Sequence, residues 1–160
     1  MTTARALAEK LVRLCQAQGL RVTTAESCTG GLVAGAITGI PGSSDILDRS
    51  FVTYSNAAKT EMLGVPAGLI TAVGAVSEAV ARRMATGALI QARADLAVSI
   101  TGIAGPGGGT LTKPVGTVWF GRAGSTGVIT RLRRFTGDRD AVRDASVVFA
   151  LNLLLDGITE

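Results

Sequence analysis

Three short stretches of the chain hold side chains able to do chemistry. In TTAESCTGGLVAG, residues 23–35, Glu26, Ser27, Cys28 and Thr29 stand in a row before Gly30-Gly31. Four polar or reactive groups side by side pack poorly in a core and fit better at the edge of a pocket. A strand feeding a helix through Thr-Gly-Gly leaves unpaired backbone N–H groups at the turn. The helix dipole makes such a turn attractive to anions. A nucleophile beside backbone donors is the layout that acyl transfer needs, because the donors hold the developing oxyanion. Ser27 reads as that nucleophile or as a plain helix N-cap. Cys28 competes as a nucleophile or is a buried structural thiol.

The second stretch is FVTYSNAAKTEMLG, residues 51–64. Tyr54 falls at a strand end, and Lys59 falls in the first turns of the next helix. The dipole disfavours a cation there by ~0.3–1 kcal/mol, and desolvation would add to this. Lys59 is open between a neutral base and a solvated surface lysine. The third stretch is SITGIAGPGGGTLTKPVGTVW, residues 99–119. Glycines after a buried strand let backbone approach a ligand closely, or else form a mobile loop. It is not a phosphate-binding P-loop, since no Gly-Lys-[Ser/Thr] follows, and it lacks the G-x-G-x-x-G spacing.

The chain has no histidine. That excludes the Ser-His-Asp triad, the Cys-His pair and every histidine-based metal site. A proton-transfer base must be Lys, Tyr, Asp, Glu, Cys or a held water. Two cysteines, Cys15 and Cys28, are too few for a disulfide framework and lack metal spacing. Neither a metal nor a cofactor is expected.

The elements that must position these groups follow from pattern. Leu7, Leu11 and Leu14 predict a helix over 3–18, stopped by Gly19. Strands are expected over 20–25, 48–54, 96–101, 115–121 and 128–135. Helices are expected over 31–39, 57–63 capped by Ser55 or Asn56, from Ser77 onward, and after Gly137-Asp138. The last is expected to bury Val142, Ala145, Phe149 and Leu153. Helices alternate with strands first, and a β-β pair comes late. This predicts an α/β fold: a three-layer α/β/α single domain over residues 1–160, with a mixed, mostly parallel sheet. Each candidate stretch then lies at a strand end, where open α/β sheets bind ligands.

Composition sets the partners. The 160 residues are 47% hydrophobic and 18% charged, with a formal charge of +4 carried mostly by arginine. This favours an anionic ligand. One Trp, one Tyr and no long basic run argue against nucleic acid. No apolar run reaches the ~20 residues of a membrane span. The amino-terminal MTTARALAEKLVRL carries charges through its apolar positions and does not read as a signal peptide. A cytoplasmic protein without a membrane partner is expected. Small residues on the helices suggest close packing within or between chains, and a homo-oligomer is expected.

TAESCTGGLVAGAIT, PGSS, FVTYSNAAK, GAVSE, SITGIAGPGGG, KPVGTVWFG and GDRDAVR, in this order and over nearly the whole chain, resemble the CinA carboxy-terminal family. Its members include nicotinamide-nucleotide amidases. The resemblance implies hydrolysis of the carboxamide of nicotinamide mononucleotide to nicotinate mononucleotide and ammonia, within pyridine-nucleotide salvage. It implies Ser27 as nucleophile, paired with Lys59 and helped by Tyr54. Many relatives carry an additional amino-terminal domain, which is expected to be absent here together with its activity. Backbone of Cys28, Thr29, Gly30 and Gly31 is expected to hold the oxyanion, and Thr101, Gly102, Ala104 and Gly105 to bind substrate. An arginine that the sequence does not single out would assist at the phosphate. Glu26 is open between orienting Lys59 or Thr29 and a structural role. Two other readings stand beside the amidase: a nucleotide-binding module without turnover, and a competence-related, nucleic-acid-associated protein.

Overall fold

The structure, a computed structural model, describes residues 3–159. Met1 and Thr2, the start of the stretch read as carrying no signal peptide, lie outside them. Helix α1, Ala4–Gln18, opens on Thr3, whose hydroxyl accepts from the Ala6 N–H, and ends at Gly19 in the left-handed conformation. Strand β1, Val22–Glu26, follows, then α2, Leu32–Thr38, a 3₁₀ turn over Ser43–Asp45, and β2, Phe51–Val52. Helices α3, Asn56–Leu63, α4, Ala67–Val73, and α5, Glu78–Ala92, come next. Then β3, Leu96–Gly102, β4, Thr117–Gly124, β5, Gly127–Arg134, and α6, Arg139–Thr159, complete the chain.

The five strands form one sheet in the order β2-β1-β3-β4-β5. Both partners of β1 run parallel to it, and β4 lies antiparallel to β3 and β5. Four strands therefore point one way and β4 alone points back, giving the expected mixed sheet. One apolar cluster joins α1, α2 and α6 to one face of the sheet, and a second joins α3, α4 and α5 to the other. The result is the expected three-layer domain. Close packing is visible within the chain: a Cβ on Gly87 of α5 would lie 2.0 Å from the Leu63 carbonyl of α3.

Two expectations are corrected, and one helix was not foreseen. The strand expected over 48–54 pairs only at Phe51 and Val52, because β2 is an edge strand held to β1 over two residues. Helix α4 was not anticipated; its signals were Pro66 before it and Gly74 after it. The buried stripe of α6 runs through Val142, Ser146, Ala150, Leu153 and Leu154, while Ala145 and Phe149 are only half-buried. Phe149 instead leans on Phe120, with ring centroids 4.6 Å apart, and lies under the Arg133 guanidinium. No described helix is long and apolar enough to cross a membrane.

Candidate active site

The carboxyl ends of β1 and β3 and the start of α3 converge on a cavity of about 200 Å³. It is lined by Ser27, Tyr54, Lys59, Thr101 and Arg139, together with Cys28, Asn56, Ala75, Val76, Gly102 and Ala104. Larger hollows exist, such as one of about 330 Å³ between α3 and α4, but that one sets no lysine beside a serine. The chemistry, not the volume, marks the site.

Ser27 follows β1 directly, and its N–H donates to the Ile100 carbonyl of the neighbouring strand. The turn after it needs two consecutive left-handed residues, Gly30 at φ +58° and Gly31 at φ +100°, which glycine adopts without strain. Lys59 sits in the second turn of α3, whose N-cap is Ser55, accepting from the Ala58 N–H at 3.0 Å. The helix turns Lys59 inward, leaving it 1% exposed. Its Nζ lies 3.0 Å from Ser27 Oγ, 2.9 Å from the Thr53 carbonyl and 3.3 Å from the Tyr54 carbonyl.

A carbonyl can only accept. With both carbonyls accepting from Nζ, a neutral amine would turn its lone pair to the Ser27 hydroxyl, whereas an ammonium would donate to all three oxygens. Burial holds the Lys59 pKa below the ordinary lysine range, which favours that neutral form. Burial pushes the neighbouring Cys28 thiol up to about 11, so at neutral pH it is a thiol and not a thiolate.

Glu26 is fully buried and turns to neither Lys59 nor Thr29. Its carboxylate accepts from the N–H groups of Gly31, Val33 and Ala34 at 2.9–3.2 Å and from the Thr24 hydroxyl at 2.9 Å. It is the cap of α2. The amino end of α2 is thus occupied by an internal carboxylate and is no open anion site, contrary to the sequence expectation. The expected set of oxyanion donors narrows accordingly. Gly31 N–H goes to Glu26, and Gly30 N–H closes onto the Ser27 carbonyl at 3.0 Å. Of the four, the Thr29 N–H has no protein acceptor, and the Cys28 N–H faces only its own sulfur.

The Tyr54 side chain is 61% exposed, and its hydroxyl meets Arg139 Nη2 at 3.0 Å, not Ser27 or Lys59. A proton path from Ser27 through the Tyr54 phenol is therefore not built here; the direct contact with Lys59 is. Arg139, from the first turn of α6, also donates to the Gly105 carbonyl at 2.8 Å. Arg139 is the arginine among the residues lining the cavity, one the sequence did not single out. The GDRDAVR segment held it, but as one arginine among many.

In the glycine-rich loop, Thr101 Oγ1 donates to the Ala75 carbonyl at 2.9 Å and fixes the facing wall. Ile103 N–H is taken by Thr117, whereas Ala104 and Gly105 keep their N–H groups free of protein acceptors. Gly107, Gly108 and Gly109 stand exposed and do not line the cavity. Among the described residues no cluster of His, Cys, Asp and Glu has the makings of a metal site.

The model of the CinA C-terminal domain family matches residues 4–158. This chain belongs to the CinA C-terminal domain family. It is 59% identical over 141 residues to the nicotinamide-nucleotide amidohydrolase PncC of Enterobacter agglomerans, covering 88% of this chain and 86% of that protein. It is 56% identical over 149 residues to the PncC of Escherichia coli K12, covering 92% and 90%. The crystal structure of the competence/damage inducible protein CihA from Agrobacterium tumefaciens superposes with a TM-score of 0.95 at 46% identity, covering 100% of this chain and 98% of that one.

Proposed function

We propose that this CinA-family chain is a nicotinamide-nucleotide amidohydrolase, converting nicotinamide mononucleotide and water to nicotinate mononucleotide and ammonia. The observation that carries the reading is the buried Lys59 amine 3.0 Å from Ser27 Oγ inside a cavity beside free backbone donors. The high identity to proteins named for that activity supports the substrate.

Neutral Lys59 takes the Ser27 proton as Ser27 Oγ bonds to the amide carbon. The N–H groups of Cys28 and Thr29 hold the oxyanion. Collapse breaks the C–N bond, and Lys59 returns its proton to the leaving nitrogen, which departs as ammonia. Water then attacks the acyl-enzyme, giving its proton to Lys59, and the second collapse restores the Ser27 hydroxyl and frees the carboxylate. The cavity suits one aromatic ring with its carboxamide. The ribose phosphate would extend to the mouth, where Arg139 and the free N–H groups of Ala104 and Gly105 suit an anion. Binding energy from that remote phosphate aligns the amide on Ser27. A cytoplasmic location goes with this substrate, since a charged nucleotide does not cross a membrane unaided.

The test is ammonia release from nicotinamide mononucleotide by the purified chain, with nicotinate mononucleotide identified as co-product. Tight nucleotide binding without ammonia would replace the enzyme with a binding module. Steeply salt-dependent DNA affinity without turnover would favour the nucleic-acid role.

A further inference from the structure

We infer that Arg143 is a positioning residue for the amidase reaction, clamping the peptide that follows the nucleophile so that the backbone donors of the turn meet the oxyanion. The inference rests on the amidase reading. Arg143 lies on α6, one turn beyond Arg139. Its Nε donates to the Cys28 carbonyl at 3.0 Å, and its Nη2 reaches the Thr29 carbonyl at 3.5 Å. It forms no ion pair with a described carboxylate. The guanidinium charge is directed at two peptide dipoles.

A trans peptide points its C=O and N–H in opposite directions. A cation on the Cys28 carbonyl therefore aims the Thr29 N–H away from α6 and polarises it, strengthening it as a donor. The preceding peptide is set independently, because the Ser27 carbonyl accepts from the Gly30 N–H. These two peptides carry the N–H groups of Cys28, which faces only its own sulfur, and of Thr29, which no protein acceptor uses. A planar fork can span two adjacent carbonyls, which an ammonium cannot do in one geometry.

Holding α2 does not require Arg143. Glu26 already caps that helix, and the Gly30 bond already closes the turn. Arg143 is only half-buried, so its side chain adds little to the core. What it adds is orientation and polarisation of the donors.

The experiment compares wild type, Arg143→Ala and Arg143→Lys. It measures kcat and KM on nicotinamide mononucleotide, thermal melting, and affinity for two probes. One probe is the 3-carboxaldehyde analogue of the nucleotide. Ser27 Oγ adds to its carbonyl carbon and the Ser27 proton passes to Lys59, leaving an oxyanion where the transition state has one. The other probe is nicotinate mononucleotide, which forms no such bond. Arg143→Ala is expected to lose about 10²-fold in kcat, the order of one oxyanion donor. KM should stay within about threefold, as stays the affinity for nicotinate mononucleotide, while aldehyde affinity falls in parallel with kcat. Arg143→Lys should recover part of kcat and part of the aldehyde affinity. A kcat within about threefold of wild type overturns the inference, as does a loss confined to KM and product affinity, which would make Arg143 a substrate ligand. If Arg143→Ala fails to fold, Arg143→Lys decides alone: an unchanged ratio of aldehyde to product affinity overturns the proposal, and a lowered ratio supports it. A wild type that releases no ammonia sinks the amidase reading itself. An active wild type with an indifferent Arg143→Ala sinks only this inference.

Discussion

Lys59 Nζ stands 3.0 Å from Ser27 Oγ with two backbone carbonyls, of Thr53 and Tyr54, as its other hydrogen-bond partners. No described carboxylate touches the amine. A lysine held by carboxylates would stay charged; here burial penalises the charged form.

Turnover should therefore fall as pH drops. Protonation removes the lone pair that faces Ser27, so the rate is lost on the acid side of the Lys59 pKa and present above it. Because burial lowers that pKa, the acid limb should lie below the ~10.4 of an ordinary lysine. Lys59→Arg should be nearly as inactive as Lys59→Ala, both down on the order of 10²–10⁴-fold, since a guanidinium keeps its proton at every working pH. A pH–rate profile and the two variants check this. A robustly active Lys59→Arg would mean that position 59 supplies charge alone.

Ser27→Ala should reduce ammonia release to background with little change in melting temperature. Cys28→Ala should keep turnover within about tenfold, since a thiol with a pKa near 11 is a poor nucleophile at neutral pH. The reverse pattern would transfer the nucleophile to Cys28.

Selectivity for the phosphorylated substrate should depend on Arg139. Wild type should strongly prefer nicotinamide mononucleotide to its nucleoside and to free nicotinamide. Arg139→Ala should raise KM for the mononucleotide roughly 10–100-fold, the equivalent of a charge-assisted hydrogen bond worth about 1.5–3 kcal/mol. The nucleoside should be far less affected. Equal losses on both would show that Arg139 serves only to hold Tyr54 and Gly105.

Glu26→Ala should destabilise the fold by about 3 kcal/mol or more. It leaves three buried or half-buried N–H groups at the start of α2 without their acceptor and opens a cavity in a fully buried site. Denaturant unfolding measures it. A cost under about 1 kcal/mol would mean that water replaces the carboxylate.

Treatment with a strong chelator should leave turnover unchanged. The chain has no histidine, and the proton transfers are assigned to Lys59. Activity lost to chelator and restored by Mg²⁺ or Zn²⁺ would overturn the metal-free mechanism.

What was legible in the sequence is what local chemistry dictates. Thr3 and Gly19 bound α1, Ser55 and Gly64 bound α3, and Ser77 opens α5, because caps and left-handed glycines act on their own few neighbours. The absence of histidine narrowed the bases, and the three motifs marked the strand ends where the site lies. The rest depended on neighbours distant in the chain. Lys59 is proposed as a base because the fold buries it against a serine 32 residues away; the same lysine on a solvated helix face would be an ordinary cation. Glu26 went to α2, and Tyr54's hydroxyl to an arginine 85 residues on, through competition among hydrogen-bond partners that only three-dimensional proximity creates. Arg139 and Arg143 were two arginines among many until α6 laid one on the cavity mouth and the other on the turn after Ser27. Desolvation and hydrogen-bond competition are set by the surroundings of a group, so residue identity alone supplied the candidates and tertiary packing assigned their contacts.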